Sequence, residues 1–217
     1  MSCKGVIFDL DGVLVDTVPL HFAAWKRMFN EYGYDLDERL YRQKVDGLPR
    51  QDGVRNVMAD TDENTRNEAG KRKQAYYLEM IDQGMLKPFV ASINFCRELR
   101  QHGVLLAAAS SSHNAPTILE KIGVLDDFTA VVTAADVARG KPHPDIFLAA
   151  AQRLALPVAE CAVIEDAQSG VRAAKEGGFI CIGIDRHSQP QYFTEADTVV
   201  RDLQELDYFS LNRLFEQ

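Results

Sequence analysis

Three apolar stretches of this chain run straight into polar, charged clusters. Gly5-Val6-Ile7-Phe8 ends in Asp9-Leu10-Asp11-Gly12. Val104-Leu105-Leu106-Ala107-Ala108-Ala109 ends in Ser110-Ser111-Ser112-His113-Asn114, and Ala162-Val163-Ile164 ends in Glu165-Asp166. In an open α/β sheet the carboxyl ends of the strands face one crevice, and ligands bind there. If the three stretches are neighbouring strands, a group of carboxylates and hydroxyls meets at one point. Such a cluster needs a cation, and a cation among carboxylates suits phosphate chemistry.

The rest of the chain fits that architecture. Between residues 17 and 87 the apolar residues recur at helical spacing, as in Phe22, Trp25, Met28, Phe29 and Tyr32, and no strand pattern stands out. Helices are expected over 18–33, 50–60 and 64–84, and Lys87-Pro88-Phe89 breaks the run. From 91 onward helices (91–102, 114–122, 145–154, 167–176) alternate with strands (104–109, 130–133, 162–165, 180–184). That alternation implies a parallel sheet with right-handed crossovers. The expected organisation is an α/β core from residues 1–16 and 88–217, with a helical cap of 17–87 inserted after the first strand. An insertion this long exceeds an ordinary loop, and a lid over the strand ends would exclude water.

Composition narrows the partners. Lys plus Arg number 24 against 32 Asp plus Glu, a net charge of −8. No nucleic-acid or membrane partner is expected, because both binding modes rely on neutralising phosphate groups. A small anionic substrate remains compatible, since a local metal or Lys reverses the local field. The opening Met1-Ser2-Cys3-Lys4 shows no signal-peptide core, and no apolar run approaches a membrane span. Cys3, Cys96, Cys161 and Cys181 are widely spaced, which reads as reduced thiols in a cytoplasmic protein. A monomer is expected.

Each motif has a bland alternative. Asp9-Leu10-Asp11-Gly12 could be a calcium loop, but the twelfth position, which should be Glu, is Leu20. In the functional reading Asp9 attacks phosphorus and carries the phosphoryl group, while Asp11 gives and takes the proton. At 4 Å each pair of like unit charges costs ~4 kcal/mol at an effective dielectric of about 20, so a cation must intervene. Glu165-Asp166 alone would suit a helix N-cap and becomes a metal site only in company with Asp9. Ser110 or Asn114 could cap the helix at 114–122; alternatively Ser110 binds the transferring phosphate. Lys141, in the stiff Gly140-Lys141-Pro142-His143-Pro144 segment, is suited to stabilising fixed negative charge.

In this order, Asp9-Leu10-Asp11-Gly12, Ser110, Lys141-Pro142 and Glu165-Asp166 resemble the haloacid dehalogenase (HAD) superfamily over essentially the whole chain. The resemblance implies a Rossmann-like three-layer core, an inserted helical cap and Mg²⁺. It implies metal contacts from Asp9, the Asp11 main-chain carbonyl, Glu165 and Asp166. A narrower resemblance, to the β-phosphoglucomutases, rests on Asp16-Thr17, His21, Ala24-Trp25, Ser112-His113-Asn114 and Gly140-Lys141-Pro142-x-Pro144-Asp145. It implies a sugar phosphate as substrate, with β-glucose 1-phosphate converted to glucose 6-phosphate. Substrate contacts would come from Gly47, Leu48, Arg50 and Lys73, with Ser112, His113 and Asn114. Thr17 would lie in the hinge, His21 would link the hinge to the site, and Trp25 would contact the sugar; the bland alternatives are helix core for Trp25 and a satisfied hydrogen-bonding residue for His21. Two departures bear on the distal phosphate. Where those mutases read Lys-Gly-x-Ser-Arg, this chain reads Asp46-Gly47-Leu48-Pro49-Arg50, and His113 stands where they have Lys. Both remove positive charge, so a sugar-phosphate phosphatase using the same Asp9 and Asp11 is the alternative.

Overall fold

The computed structural model describes residues 2–45, 48 and 50–216. The chain divides into two compact units, one of residues up to Asp16 and from Lys87 onward, the other Thr17–Leu86. From the N-terminus come β1 (Gly5–Phe8) and β2 (Val15–Asp16), then the helices of the second unit: α1 (Val18–Glu31), α2 (Glu38–Lys44), α3 (Arg50–Val57) and α4 (Glu63–Asp82). The first unit resumes with β3 (Lys87–Pro88), α5 (Val90–Gln101), β4 (Leu105–Ser110), α6 (Ala115–Lys121), β5 (Ala130–Thr133), α7 (Asp145–Arg153) and β6 (Cys161–Glu165). It ends with α8 (Gln168–Glu176), β7 (Ile180–Ile184), β8 (Thr198–Val200) and α9 (Tyr208–Arg213).

Among the described residues the main sheet has the order β5-β4-β1-β6-β7-β8, all neighbours parallel. β1 lies between β4 and β6: Phe8 is level with Ala108 on one side and Ile164 on the other. The apolar run Val6-Ile7-Phe8 lacks alternation because both faces are covered. Ile7 points to one face, where it joins Ala107 and Val163 against Phe147 of α7 and Val171 of α8. Phe8 points to the other, meeting Phe95 of α5 and Phe128 edge-on with centroids 6.5 and 6.1 Å away. Fully burying side chains of this size stabilises by about 1.5–3 kcal/mol each. Helices on both faces of a parallel sheet make the expected three-layer α/β core.

The second unit has its own core. Trp25, Met28 and Phe29, spaced to share one face of α1, pack with Leu36, Tyr41, Val54, Met58 and Ala69. The carboxylates of Asp37 and Asp62 cap α2 and α4, accepting the Leu40 and Thr65 N–H groups at 2.7 and 3.0 Å.

Some elements differ from the sequence reading. α2 buries only Tyr41, so its sequence carries almost no apolar periodicity. The β2–β3 pair is two residues long on each side, too short for an alternation signal, and pairs Asp16 with Lys87. Lys87, read with the helical insertion, thereby belongs to the first unit. β8 and α9 are additional. All four cysteines are buried free thiols. Among the described residues no helix is long and apolar enough to cross a membrane.

Candidate active site

The chemistry-bearing residues gather where the topology puts the carboxyl ends of β4, β1 and β6 side by side. Asp9 follows β1 directly, and its N–H donates to the Ile164 carbonyl at 3.0 Å, extending the ladder toward β6. The chain then turns sharply. Gly12 has φ +80°, a conformation that costs a side-chain-bearing residue dearly, and its N–H donates to Val15 O at 2.9 Å. Gly12 also makes room. A Cβ there would stand 1.9 Å from Asp166 Oδ2, so the Asp166 carboxylate rests directly against the loop that carries Asp9 and Asp11. Residues more than 150 positions apart in the chain are thus packed together.

Lys141 is the hub of the cluster. Its Nζ donates to Asp9 Oδ1 and to Glu165 Oε1, each at 2.5 Å, with side chains of 8, 8 and 1 % exposure. The other Glu165 oxygen, Oε2, accepts the Ala167 N–H at 2.7 Å. The side chain can lie there because position 170 is glycine: a Cβ on Gly170 would meet Glu165 Oε1 at 1.8 Å. Glu165 therefore holds Lys141 from below while satisfying the start of α8, and Lys141 is directed at Asp9.

On the β4 side, Ser110 is the last strand residue and is fully buried. Its hydroxyl donates to Asp11 Oδ2 at 3.2 Å and accepts the Ser112 N–H at 3.0 Å, while Ser112 Oγ accepts the Asn114 N–H at 3.2 Å. This corrects the capping alternative. Ser110 bonds the loop bearing Asp9 and Asp11 instead, and Asn114 starts α6 without a side-chain cap bond. His113 is exposed on the same loop.

The electrostatics follow from this crowding. Burial raises the Asp9 carboxyl well above the ordinary range; Lys141 opposes this, and Glu165, Asp11 and Asp166 add to it. Asp166 is raised to about 8, again by burial first and then by Glu165. Burial alone would lower the Lys141 ammonium, but Asp9 and Glu165 outweigh it and hold it above its usual value. The carboxylates of Asp9, Asp11, Glu165 and Asp166 thus exceed what one ammonium can balance.

Among the described residues no three His, Cys, Asp or Glu side chains form a group able to hold a metal ion by themselves. The carboxylates crowded at the strand ends are all hard oxygen donors carrying surplus negative charge, a donor chemistry that suits a divalent cation such as Mg²⁺.

The helical unit holds the other expected residues. Lys73, nearly buried, places Nζ 2.7 Å from His21 Nδ1 and over the rings of Trp25 (5.2 Å) and Tyr77 (4.9 Å). An ammonium only donates, so Nδ1 accepts and the imidazole is neutral. Burial, then Lys73, pushes His21 down to about 3. His21 also stacks on Tyr77 with centroids 4.1 Å apart. Trp25 stacks on Phe29 at 5.2 Å within the unit's own core, where the bland reading put it. Arg50 is exposed and donates to Gln74 Oε1 at 2.8 Å; Leu48 is exposed and Thr17 buried. The expectations on Asp46, Gly47 and Pro49 lie outside the described residues.

Sequence reasoning passed over two residues. Gly170 interrupts a helical pattern, which is itself a sign of close packing. Arg186 follows β7 just after Asp185, so it too is a polar residue beyond a strand's carboxyl end.

The haloacid dehalogenase-like hydrolase family matches residues 6–184, a span containing Asp9, Asp11, Ser110, Lys141, Glu165 and Asp166 but not Arg186. The chain belongs to that family of enzymes. Among its haloacid dehalogenase-like relatives, the β-phosphoglucomutase of Bacillus subtilis (strain 168) is 35% identical, covering 99% of this chain and 96% of its own. Hexitol phosphatase A of Escherichia coli (strain K12) is 30% identical, covering 95% and 94%. Among solved structures, an archaeal β-phosphoglucomutase from Pyrococcus sp. strain ST 04 superposes with a TM-score of 0.80 at 30% identity, covering 98% of each chain.

Proposed function

We propose that this haloacid dehalogenase-like enzyme transfers a phosphoryl group on a sugar phosphate through an aspartyl-phosphate on Asp9, in the manner of a β-phosphoglucomutase. The observation that carries the reading is the pair of 2.5 Å contacts from Lys141 to Asp9 and Glu165, in a cluster with surplus carboxylate. The Bacillus subtilis relative supports the mutase reading in particular.

Asp9 Oδ attacks phosphorus, and the bond from phosphorus to the sugar oxygen breaks. Asp11 gives that oxygen its proton and later takes one from the acceptor. Ser110, already bonded to Asp11, hydrogen-bonds the transferring phosphoryl oxygens. Lys141 orients Asp9 and favours its ionised form, opposing the burial and neighbouring carboxylates that push the carboxyl toward neutral. Asp9, the Asp11 carbonyl and Asp166, with Glu165 beside them, would hold Mg²⁺. Bound there, the cation would offset the repulsion between the Asp9 carboxylate and the phosphate. The Thr17–Leu86 unit, inserted between β2 and β3, would serve as the lid that keeps water from the phosphoenzyme.

A second reading, a sugar-phosphate phosphatase, is favoured by the loss of positive charge at Asp46 and His113 and of a hydroxyl and an N–H donor at Pro49, and by the similarity to hexitol phosphatase A. The two readings part at the acceptor, sugar or water.

Phosphorus NMR separates them. β-Glucose 1-phosphate is incubated with enzyme and Mg²⁺, with and without a trace of glucose 1,6-bisphosphate. Glucose 6-phosphate appearing is the expected result; inorganic phosphate alone overturns the mutase in favour of the phosphatase. Arg50→Ala should depress sugar turnover at least about tenfold more than hydrolysis of an aryl phosphate, the loss expected for one charge-assisted hydrogen bond. Equal losses would remove Arg50 as a distal-phosphate contact.

A further inference from the structure

Arg186 touches three segments of the core unit at once. Its Nε donates to the main-chain oxygen of Gly12 at 3.2 Å. Its NH1 group pairs with Asp202. Its guanidinium carbon lies 3.8 Å from the centre of the Phe89 ring. Phe89 immediately follows β3, the strand by which the chain re-enters the core, and its own N–H donates to Leu14 O at 2.9 Å. One side chain therefore ties together the loop bearing Asp9 and Asp11, the re-entry strand and the segment after β8.

The arrangement is costly if its purpose is only to pair Asp202. The Arg186 side chain is 16% exposed, and its NH2 group is buried with no hydrogen-bond partner among the described residues. A guanidinium turned outward would keep all its nitrogens in water and could still meet Asp202, whose side chain is 26% exposed. Inward placement gives it the Gly12 carbonyl. Gly12, with φ +80° and no side chain, is the softest joint in the loop. Fixing its carbonyl direction fixes the peptide after it and restrains the turn that aims Asp11.

We propose that Arg186 is a positioning residue that clamps the Asp9–Gly12 loop through the Gly12 carbonyl and registers it against the re-entry strand at Phe89. As a claim about catalysis it rests on the phosphoryl-transfer reading above. As a claim about the loop it does not.

The test uses the full chain with Arg186→Met, which keeps an apolar stem against Phe89 but no donors, and Arg186→Lys and Arg186→Gly. Hydrogen exchange is followed by mass spectrometry without metal. Losing one charge-assisted hydrogen bond should speed exchange over residues 9–16 at least about tenfold in Arg186→Met, with α8 and β6 unchanged. Steady-state hydrolysis of p-nitrophenyl phosphate with Mg²⁺ is measured in parallel. Misplacement of the loop should lower kcat by about 10²-fold with KM nearly constant. Arg186→Lys, with one donor and no planar fork, should fall between, and added guanidinium should restore part of the Arg186→Gly loss. Unchanged exchange at 9–16 in Arg186→Met overturns the clamp. A uniform rise across the core, with kcat intact or its loss not rescued, shows ordinary destabilisation and also overturns it. If the unsubstituted protein neither hydrolyses p-nitrophenyl phosphate nor isomerises or hydrolyses a sugar phosphate, the phosphoryl-transfer reading fails, and the exchange result alone decides for or against the clamp.

Discussion

Asp9 shows how function and stability oppose each other at one residue. Its carboxyl is raised by burial and by three nearby carboxylates, with Lys141 alone pulling the other way. A carboxyl whose pKa is higher folded than unfolded binds more protons in the folded state, so its ionisation near neutral pH works against folding. Asp9→Asn removes that burden and keeps the shape, while Lys141 retains Glu165 at 2.5 Å. Phosphoryl transfer should fall below detection. In metal-free buffer the melting temperature should hold or rise by roughly 1–4 °C, as is common when a functional charge is removed from a buried site. Calorimetry and a turnover assay on the same preparation check this. Retained turnover would remove Asp9 as the nucleophile, and a clear drop in melting temperature would show that the Lys141 contact outweighs the crowding.

At the level of elements, the site depends on what the junction between β6 and α8 leaves out. Glu165 can reach Lys141 only because α8 has no side chain at Gly170, where a Cβ would lie 1.8 Å from Oε1 and 2.0 Å from Cδ of Glu165. Gly→Ala within a helix ordinarily stabilises by about 0.5–1 kcal/mol. At Gly170 the Glu165 side chain must move first, taking with it a buried partner of Lys141. Gly170→Ala should therefore lower kcat by at least about tenfold and stability by about 1–3 kcal/mol, the usual cost of overpacking. Gly140→Ala, where a methyl group meets open space, is the contrast and should change stability by less than about 0.5 kcal/mol. Urea unfolding and aryl-phosphate hydrolysis of both variants decide it. Equal, small effects would mean that Glu165 has another rotamer that still reaches Lys141.

For the whole molecule, the legible features were those written as continuous pattern. The strands ending at Phe8, Ser110 and Glu165 could be read because their apolar runs stop abruptly, and the helical insertion because α1 repeats its apolar face over four turns. What stayed hidden depends on pairing across the fold. Nothing local shows that Lys141 lies between Asp9 and Glu165, that Gly170 makes space for Glu165, or that Arg186 reaches Gly12. The surroundings of His21 were hidden in the same way, and they make the stability of the helical unit depend on pH. Folded His21 is held to about 3 against an ordinary 6.5, by burial and then by Lys73. Between those values the unfolded chain takes up a proton that the folded one refuses, so stability falls as pH drops from about 6.5 toward about 3, by at most ~1.4 kcal/mol per pH unit. Trp25 is the single tryptophan and lies in the core of this unit, so its fluorescence reports the unit's own unfolding. Urea midpoints from pH 7 to pH 4.5 should fall more steeply for the natural chain than for His21→Asn, which offers Lys73 an acceptor that does not titrate. The slopes are compared, because the variant also loses the stacking on Tyr77 and starts lower. Parallel slopes would mean that the folded imidazole accepts its proton freely, and that Lys73 does not face Nδ1 in solution.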